Sequence, residues 1–182
     1  MNTSRKLAIA AIALALCCAA GGASSTITGK IDAKITLTSG CVINGNNTND
    51  GAANVQFGTL DFGSQTTLFS QADGQVQGSG QGIQVQCTAG VAPRLTFGAG
   101  QYDGSGGGGG NKAMRHATDT ARFVTYTLYA NAGRTDAINA GRQIALASDG
   151  SAQTVNVYGR AFGAAGLIAG NYTDVVTVTL DL

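Results

Sequence analysis

The chain has 182 residues, which suits one domain with short extensions and leaves little room for a second core. It carries eleven basic and ten acidic residues, and every acidic residue is aspartate. Such sparse, balanced charge excludes the basic surface that binding to nucleic acid or to an anionic membrane needs. Helix-forming Glu, Lys and Met are absent or scarce while Gly, Thr, Val, Gln and Asn abound, which favours an all-β chain with many turns.

Residues 1–23 have the pattern of a secretory signal peptide. Arg5 and Lys6 form a positive start, an apolar run continues to Leu16, and small residues lead to Ala23. Cleavage after Ala23 or after Ala20 fits this pattern. The apolar run is too short to cross a bilayer comfortably, which disfavours a retained membrane anchor.

The four cysteines divide into two pairs. Cys17 and Cys18 lie in the signal segment, where the preceding residues are poor for lipid attachment. Removal of the signal leaves Cys41 and Cys87, and two cysteines in an exported chain predict one disulfide because the periplasm is oxidising. Closing a loop of about 47 residues would stabilise the fold by roughly 4 kcal/mol.

The next segment, residues 24–38, holds the most regular pattern of the chain. Apolar or small residues alternate with polar ones, which predicts a long strand with one apolar and one polar face. The apolar face consists of Ile27, Gly29, Ile31, Ala33, Ile35 and Leu37.

Residues 39–182 form the predicted main domain. Short apolar or alternating runs predict seven or eight strands and no helix, at residues 41–43, 55–62, 83–87, 94–97, 122–129, 144–146, 155–158 and 175–182. A polar loop is expected over 44–53 and a flexible glycine-rich loop over 104–110. The number and spacing of the strands favour a β-sandwich.

Catalytic and metal-binding patterns are not found in the sequence. His116 is the only histidine, and beside the glycine-rich loop we expect it to be solvated. The cysteines and aspartates lack metal-ligand spacing, and no nucleophile motif is present. We therefore expect no cofactor and no enzyme activity, and a secreted hydrolase is the least favoured reading.

The last predicted strand has an apolar face made of Val176, Val178, Leu180 and Leu182. An uncovered apolar edge invites another strand, and residues 26–38 of a second copy would fit it by β-augmentation. The same segment could instead pair within its own sandwich. The alternation alone leaves both possibilities open.

Four motifs, in order, carry a family resemblance: Thr-Ser-Gly-Cys at 38–41, Phe-Gly-Thr-Leu-Asp-Phe-Gly at 57–63, Ile-Gln-Val-Gln-Cys at 83–87 and Gly-Asn-Tyr-Thr-Asp-Val-Val-Thr-Val-Thr at 170–179. Together they resemble the spore coat protein U domain family, and within it the major subunits of archaic chaperone–usher pili. The resemblance covers essentially the whole chain after the signal.

The resemblance implies an incomplete immunoglobulin-like β-sandwich that a neighbouring subunit completes with a donor strand. The apolar face of residues 24–38 would be the donor, the apolar face of the last strand would line the acceptor groove, and Cys41 and Cys87 would form the disulfide. Expected partners are further copies of the subunit, a periplasmic chaperone, an outer-membrane usher and a tip subunit. The product would be an extracellular pilus for surface attachment and biofilm formation. A tip adhesin, a carbohydrate-binding sandwich, or a spore or cyst coat component remain the alternatives.

Overall fold

A computed structural model describes residues 25–182. The chain divides into two units, Met1–Thr36 and Leu37–Leu182. The predicted signal peptide and its cleavage site lie outside the described residues, as does residue 24. Residues 25–36, the described part of the first unit, contain no strand or helix. Across residues 25–182 there is no helix that could cross a membrane.

Fourteen strands make up the second unit within the described range. They are β1 (Gly40–Ile43), β2 (Asn46–Asn49), β3 (Thr59–Leu60), β4 (Gln71–Gln77), β5 (Ile83–Cys87), β6 (Arg94–Gly100), β7 (Lys112–His116), β8 (Phe123–Tyr129), β9 (Ala137–Ile138), β10 (Arg142–Ala145), β11 (Gln153–Val155), β12 (Tyr158–Phe162), β13 (Tyr172–Thr173) and β14 (Val176–Asp181).

The strands form three sheets. Their orders are β11-β5-β1-β2, β10-β6-β14 and β13-β7-β8-β12-β4-β3, with β9 paired to β8. The paired strands run antiparallel. Apolar residues of all three sheets meet in one core, to which β5 contributes Val85, β6 contributes Phe97 and β8 contributes Leu128. The predicted all-β sandwich is therefore confirmed.

The predicted disulfide is also confirmed. Cys41 of β1 lies opposite Cys87 of β5 in the antiparallel ladder, and their sulfur atoms are bonded. The two Cα atoms are 4.0 Å apart. The bond therefore holds together two neighbouring strands of one sheet, close to the start of the main domain.

Several strands differ from their predicted positions. Residues 44–53, expected to be a loop, contain β2, which needs only backbone bonds to β1 because its side chains are polar and mostly exposed. β4 and β7 were not predicted, because neither has a clear alternation of apolar residues. The predicted strand at 155–158 is instead the end of β11 and the start of β12.

His116 corrects one expectation of the sequence analysis. It ends β7 and is only 5% exposed rather than solvated. Its Nδ1 accepts a hydrogen bond from the Asp119 backbone N–H at 2.9 Å, and its ring packs edge-on against Tyr172. The histidine therefore fastens the 116–119 turn to β13, which is a structural role.

Candidate functional site

β14 is an edge strand with an apolar face. Within the described residues it pairs only with β6, so the other edge of its backbone has no strand beside it. Val176, Val178 and Leu180 are half-buried on one face, whereas Thr177 and Thr179 are exposed on the other. Because neighbouring residues of a strand point to opposite faces, the three apolar side chains form a row.

That row borders a groove of about 880 Å³. We call this cavity the groove. Its floor is made of core side chains, including Ile83 of β5, Phe97 of β6, Leu128 of β8 and Val157. These four residues are each at most 5% exposed, so the groove reaches down to the hydrophobic core itself.

The opposite wall of the groove is the segment that contains Val55, Phe57 and Leu60. Asn44 fixes this wall, because its side-chain amide donates to the Phe57 carbonyl at 2.9 Å while its Oδ1 accepts from the Gln84 backbone N–H at 3.0 Å. Asn44 itself has a φ of 49°, a left-handed conformation that Asn tolerates better than most residues. From the sequence, Asn44 was expected in a polar loop. The pair Asn44-Gly45 is typical of a turn, but it does not indicate a contact with Phe57.

A close backbone approach holds the same wall against β4. Gly58 has a φ of 153°, and a Cβ atom there would lie 2.6 Å from Val76 Cγ1 and 2.8 Å from the Gln77 carbonyl oxygen. Only glycine fits such a position. Gly58 and Val76 both line the groove, so this close approach lies at its edge.

A buried hydrogen bond secures the beginning of β14. The Tyr126 hydroxyl donates to Asp174 Oδ2 at 2.7 Å, and the other oxygen of Asp174 accepts from the Gln101 backbone N–H at 2.8 Å. Burial raises the pKa of Tyr126, and the hydrogen bond to Asp174 raises it further. Tyr126 therefore remains a protonated donor, which links β8 in the groove floor to the residues that lead into β14.

The residues predicted for the acceptor face all line this one groove. Val176, Val178 and Leu180 do so from β14, and Leu182 follows at 40% exposure. Cys41 lines the groove as well, and its disulfide partner Cys87 lies beside it in the sheet.

The residues predicted for the donor face are exposed. Ile27 and Ile31 are 99% and 97% exposed, and Ile35 and Leu37 are also largely exposed. The strand predicted over 26–38 has no ladder partner in the described chain, and a strand needs such a partner for its backbone hydrogen bonds. The donor assignment therefore stays a prediction.

No group of three or more His, Cys, Asp or Glu side chains within residues 25–182 is arranged to hold a metal ion. The groove is bordered by apolar side chains and also by many polar ones, which include Thr48, Asn49, Gln56 and the carboxyls of Asp50 and Asp174. Its apolar row and buried floor offer contacts to apolar side chains, and its polar margin offers hydrogen bonds.

Comparison with known proteins gives a family match and similarity to solved structures. No protein of curated function matches the chain. A solved complex of a chaperone with a tip adhesion subunit, CsuC–CsuE from the archaic chaperone–usher Csu pili of Acinetobacter baumannii, is similar at 19% identity with a TM-score of 0.43. This similarity covers 81% of the present chain, which spans only 40% of the matched one. The model of the Spore Coat Protein U domain matches residues 27–179, nearly all of the chain after its first 26 residues, and the chain therefore belongs to the spore coat protein U domain family.

Proposed function

We propose that this protein is the structural major subunit of a chaperone–usher pilus and polymerises by donor-strand exchange. The observation that supports this most is the apolar groove beside the free edge of β14, together with an exposed alternating segment in the same chain. One copy's residues 26–38 would enter the groove of the next copy and pair with β14. Backbone hydrogen bonds would supply affinity and the alternate side chains would set the register.

The donor face is long enough to cover β14. It runs over the eleven residues from Ile27 to Leu37, whereas β14 spans the six residues Val176–Asp181. At about 3.3 Å per residue the donor would extend for roughly 36 Å and β14 for roughly 20 Å. An inserted donor strand would therefore pair along the whole of β14 and continue beyond it.

The apolar contact is large enough to drive assembly. Transfer of Ile27, Ile31, Ile35 and Leu37 from water into the groove would contribute about 1.5–3 kcal/mol each, or roughly 6–12 kcal/mol together. Association costs of several kcal/mol oppose this gain, and the backbone bonds to β14 add to it. The apolar gain and the backbone bonds together exceed the association cost, so we expect the contact between copies to be stable.

A contact between the start of one copy and the groove of another does not close on itself, and so it propagates into a fibre. In the pathway that the family resemblance implies, a periplasmic chaperone would cover the groove first. An outer-membrane usher would then exchange the chaperone strand for the next subunit's donor. The product would be an extracellular homopolymer that ends in a tip subunit and serves surface attachment and biofilm formation.

A chain that has both a donor segment and an acceptor groove suits a repeating subunit better than a tip adhesin. A subunit at the tip needs a groove to receive a donor but has no neighbour beyond it that needs its own donor. In this chain the alternation from Ile27 to Leu37 is the most regular of the sequence. A tip subunit would not use this segment as a donor, so a tip role does not account for its regular alternation.

A matched pair of substitutions tests the donor. Ile31→Asp places a charge on the apolar face, whereas Thr28→Asp places the same charge on the polar face of the same segment. In cells that assemble the fibres, we expect Thr28→Asp to give fibres by negative-stain microscopy and a ladder on gels of unboiled samples. Ile31→Asp should abolish both while the secreted monomer keeps its disulfide. An undiminished ladder from Ile31→Asp would rule out insertion of this face.

A further inference from the structure

Lys112 is a buried amine at the start of β7. Its side chain is only 1% exposed, which is rare for lysine, and its Nζ makes two polar contacts within the described chain. It donates to the Gly98 carbonyl at 3.1 Å and lies 3.4 Å from Asp103 Oδ2. Neither the groove nor the proposed polymerisation uses this amine.

Asp103 brings an incompletely satisfied carboxyl to the same place. Its Oδ1 is shielded from solvent and has no hydrogen-bond partner. Buried polar atoms are normally paired, so this oxygen calls for an explanation. Burial of the Lys112 charge also carries a desolvation cost, which attraction to one partly exposed carboxylate often does not offset.

A second carboxyl, that of Asp174, lies close to the Asp103 carboxyl. The position that a Cβ atom of Gly100 would occupy is 2.6 Å from Asp103 Oδ1 and also in contact with Asp174 Oδ2. The missing side chain of Gly100 thus lets two carboxyl oxygens from distant parts of the sequence approach the same point. Asp174 is held there by Tyr126 and by the Gln101 backbone.

The loop between Asp103 and Lys112 is mostly exposed, but part of it packs against β8. A Cβ atom on Gly108 would collide with Thr125 Oγ1, and one on Gly110 would collide with the Tyr126 backbone. The glycines of residues 104–110 therefore let this loop lie directly against β8. This packing holds the amine and the carboxyl at the two ends of the loop in fixed positions.

We propose that Lys112 and Asp103 join in an intramolecular isopeptide bond, with Asp174 as the group that relays the proton. The reaction starts from a neutral amine and a neutral carboxyl, reached by moving one proton from Lys112 to Asp103. The Nζ lone pair attacks Asp103 Cγ, a C–N bond forms, and the bond from Cγ to the leaving oxygen breaks. Asp174 takes a proton from the nitrogen and returns it to the leaving hydroxyl, which departs as water. No oxidant, reductant or activated co-reactant is required.

The proximity of the amine and the carboxyl favours this condensation. Well-oriented intramolecular groups reach effective concentrations on the order of 10⁵ M or more, far above those of free reactants. The product replaces the buried Lys112 charge and the partly exposed Asp103 charge by one neutral amide, whose N–H can keep the bond to the Gly98 carbonyl. It would close the glycine-rich loop into a covalent ring between the end of β6 and the start of β7.

Mass spectrometry of the full-length secreted protein tests the bond directly. Trypsin should release residues 95–112 and 113–115 separately from an unlinked chain, because Lys112 is the only cleavage site between Arg94 and Arg115. With the bond, a single 95–115 peptide lighter by one water molecule should replace them. The intact reduced chain should be lighter by the same amount. Fragmentation should place the loss across Asp103 and Lys112.

Two variants serve as controls. Lys112→Arg removes the reactive amine, so its intact mass should match its sequence and trypsin should cleave at position 112. Asp174→Asn keeps both reactants but removes the proton relay, so most of its chains should retain a free Lys112. A wild-type chain that yields the 95–112 peptide at its unshifted mass would overturn the proposal and leave an ordinary buried ion pair. The wild-type result stands even if a variant fails to fold, and it is independent of fibre formation.

Discussion

At the scale of single residues, the polar groups around the groove are held by specific partners. Tyr126 is the clearest example, because it reaches from the groove floor to Asp174 at the beginning of β14. Its ring also packs edge-on against Phe62. The hydroxyl and the ring therefore make separable contributions, and the hydroxyl can be removed without loss of the ring.

We predict that Tyr126→Phe lowers the free energy of unfolding by about 1.5–3 kcal/mol, the usual worth of a hydrogen bond to a charged partner. Urea unfolding of the monomer would measure this change. Tyr129→Phe on the same strand is the matched control, since the Tyr129 hydroxyl makes no hydrogen bond within the described chain. Equal losses from both variants would contradict a special role for the Tyr126–Asp174 bond.

Residues whose type nearly fixes their partner were predictable from the sequence. Cys41 and Cys87 had no other partners after the expected removal of the signal, and they are bonded. His116 and Asn44 were misjudged because their partners, Tyr172 and Phe57, come from other parts of the chain. A buried Lys112 was equally unforeseeable, since its burial depends on the packing of the glycine-rich loop.

At the scale of strands, β4 and β12 are joined by a charged pair as well as by their ladder. Arg160 of β12 donates two hydrogen bonds to Asp73 of β4, at 2.7 and 2.9 Å, and Arg134 lies 3.2 Å from the same carboxyl. The hydrogen bonds from Arg160 lower the pKa of Asp73 below its usual range.

This pair predicts a specific dependence of stability on pH. Because the pKa of Asp73 is lower in the folded chain than in the unfolded one, the pair stabilises the fold fully at neutral pH. The stabilisation is lost as the pH falls below about 3.9, the usual aspartate value, and through the lowered folded pKa. We expect Asp73→Asn to reduce the melting temperature modestly at pH 7 and to flatten its decline below pH 4. Asp50→Asn, at an exposed position, should leave both unchanged; an identical pH profile for wild type and Asp73→Asn would refute this account.

The two faces of β14 allow an equally direct comparison. Val178 is half-buried, whereas Thr179 also borders the groove but is exposed, so Val178→Asp and Thr179→Asp place one charge at a half-buried and at an exposed position of one strand. Val178→Asp should prevent fibre formation, because a carboxylate would be buried in the apolar contact with the donor at a cost of several kcal/mol. Thr179→Asp should assemble as the wild type does. Circular dichroism would verify that both fold, and fibres from a folded Val178→Asp chain would argue against the groove as the acceptor.

Strands with buried, alternating side chains were predictable, whereas strands rich in polar residues were not. β5 and β14 follow their sequence patterns closely, and β8 was found because it is rich in β-branched and aromatic residues. β2 and β4 exist through backbone pairing, to β1 and to β12, which leaves little trace in the side chains. The groove itself could be anticipated only on its β14 side, because the wall near Phe57 is built by distant contacts.

At the scale of the whole molecule, a single chain would carry both the donor and the acceptor of the contact between copies, and the two would act independently. The donor half lies in residues 26–38 and the acceptor half in the groove of the main domain. A substitution in either half should leave the other half functional. Such independence is expected of a head-to-tail polymer and is not expected of a segment that closes onto its own domain.

Mixing two complementary variants tests this central claim most directly. Ile31→Asp keeps a working groove with a defective donor, and Val178→Asp keeps a working donor with a defective groove. Each purified alone should be monomeric by size-exclusion chromatography with light scattering. Mixed in equal amounts, they should form a one-to-one heterodimer that grows no further, because only one competent donor and one competent groove are present. A mixture that remains monomeric, or a single variant that polymerises alone, would contradict donor-strand exchange between copies of this chain.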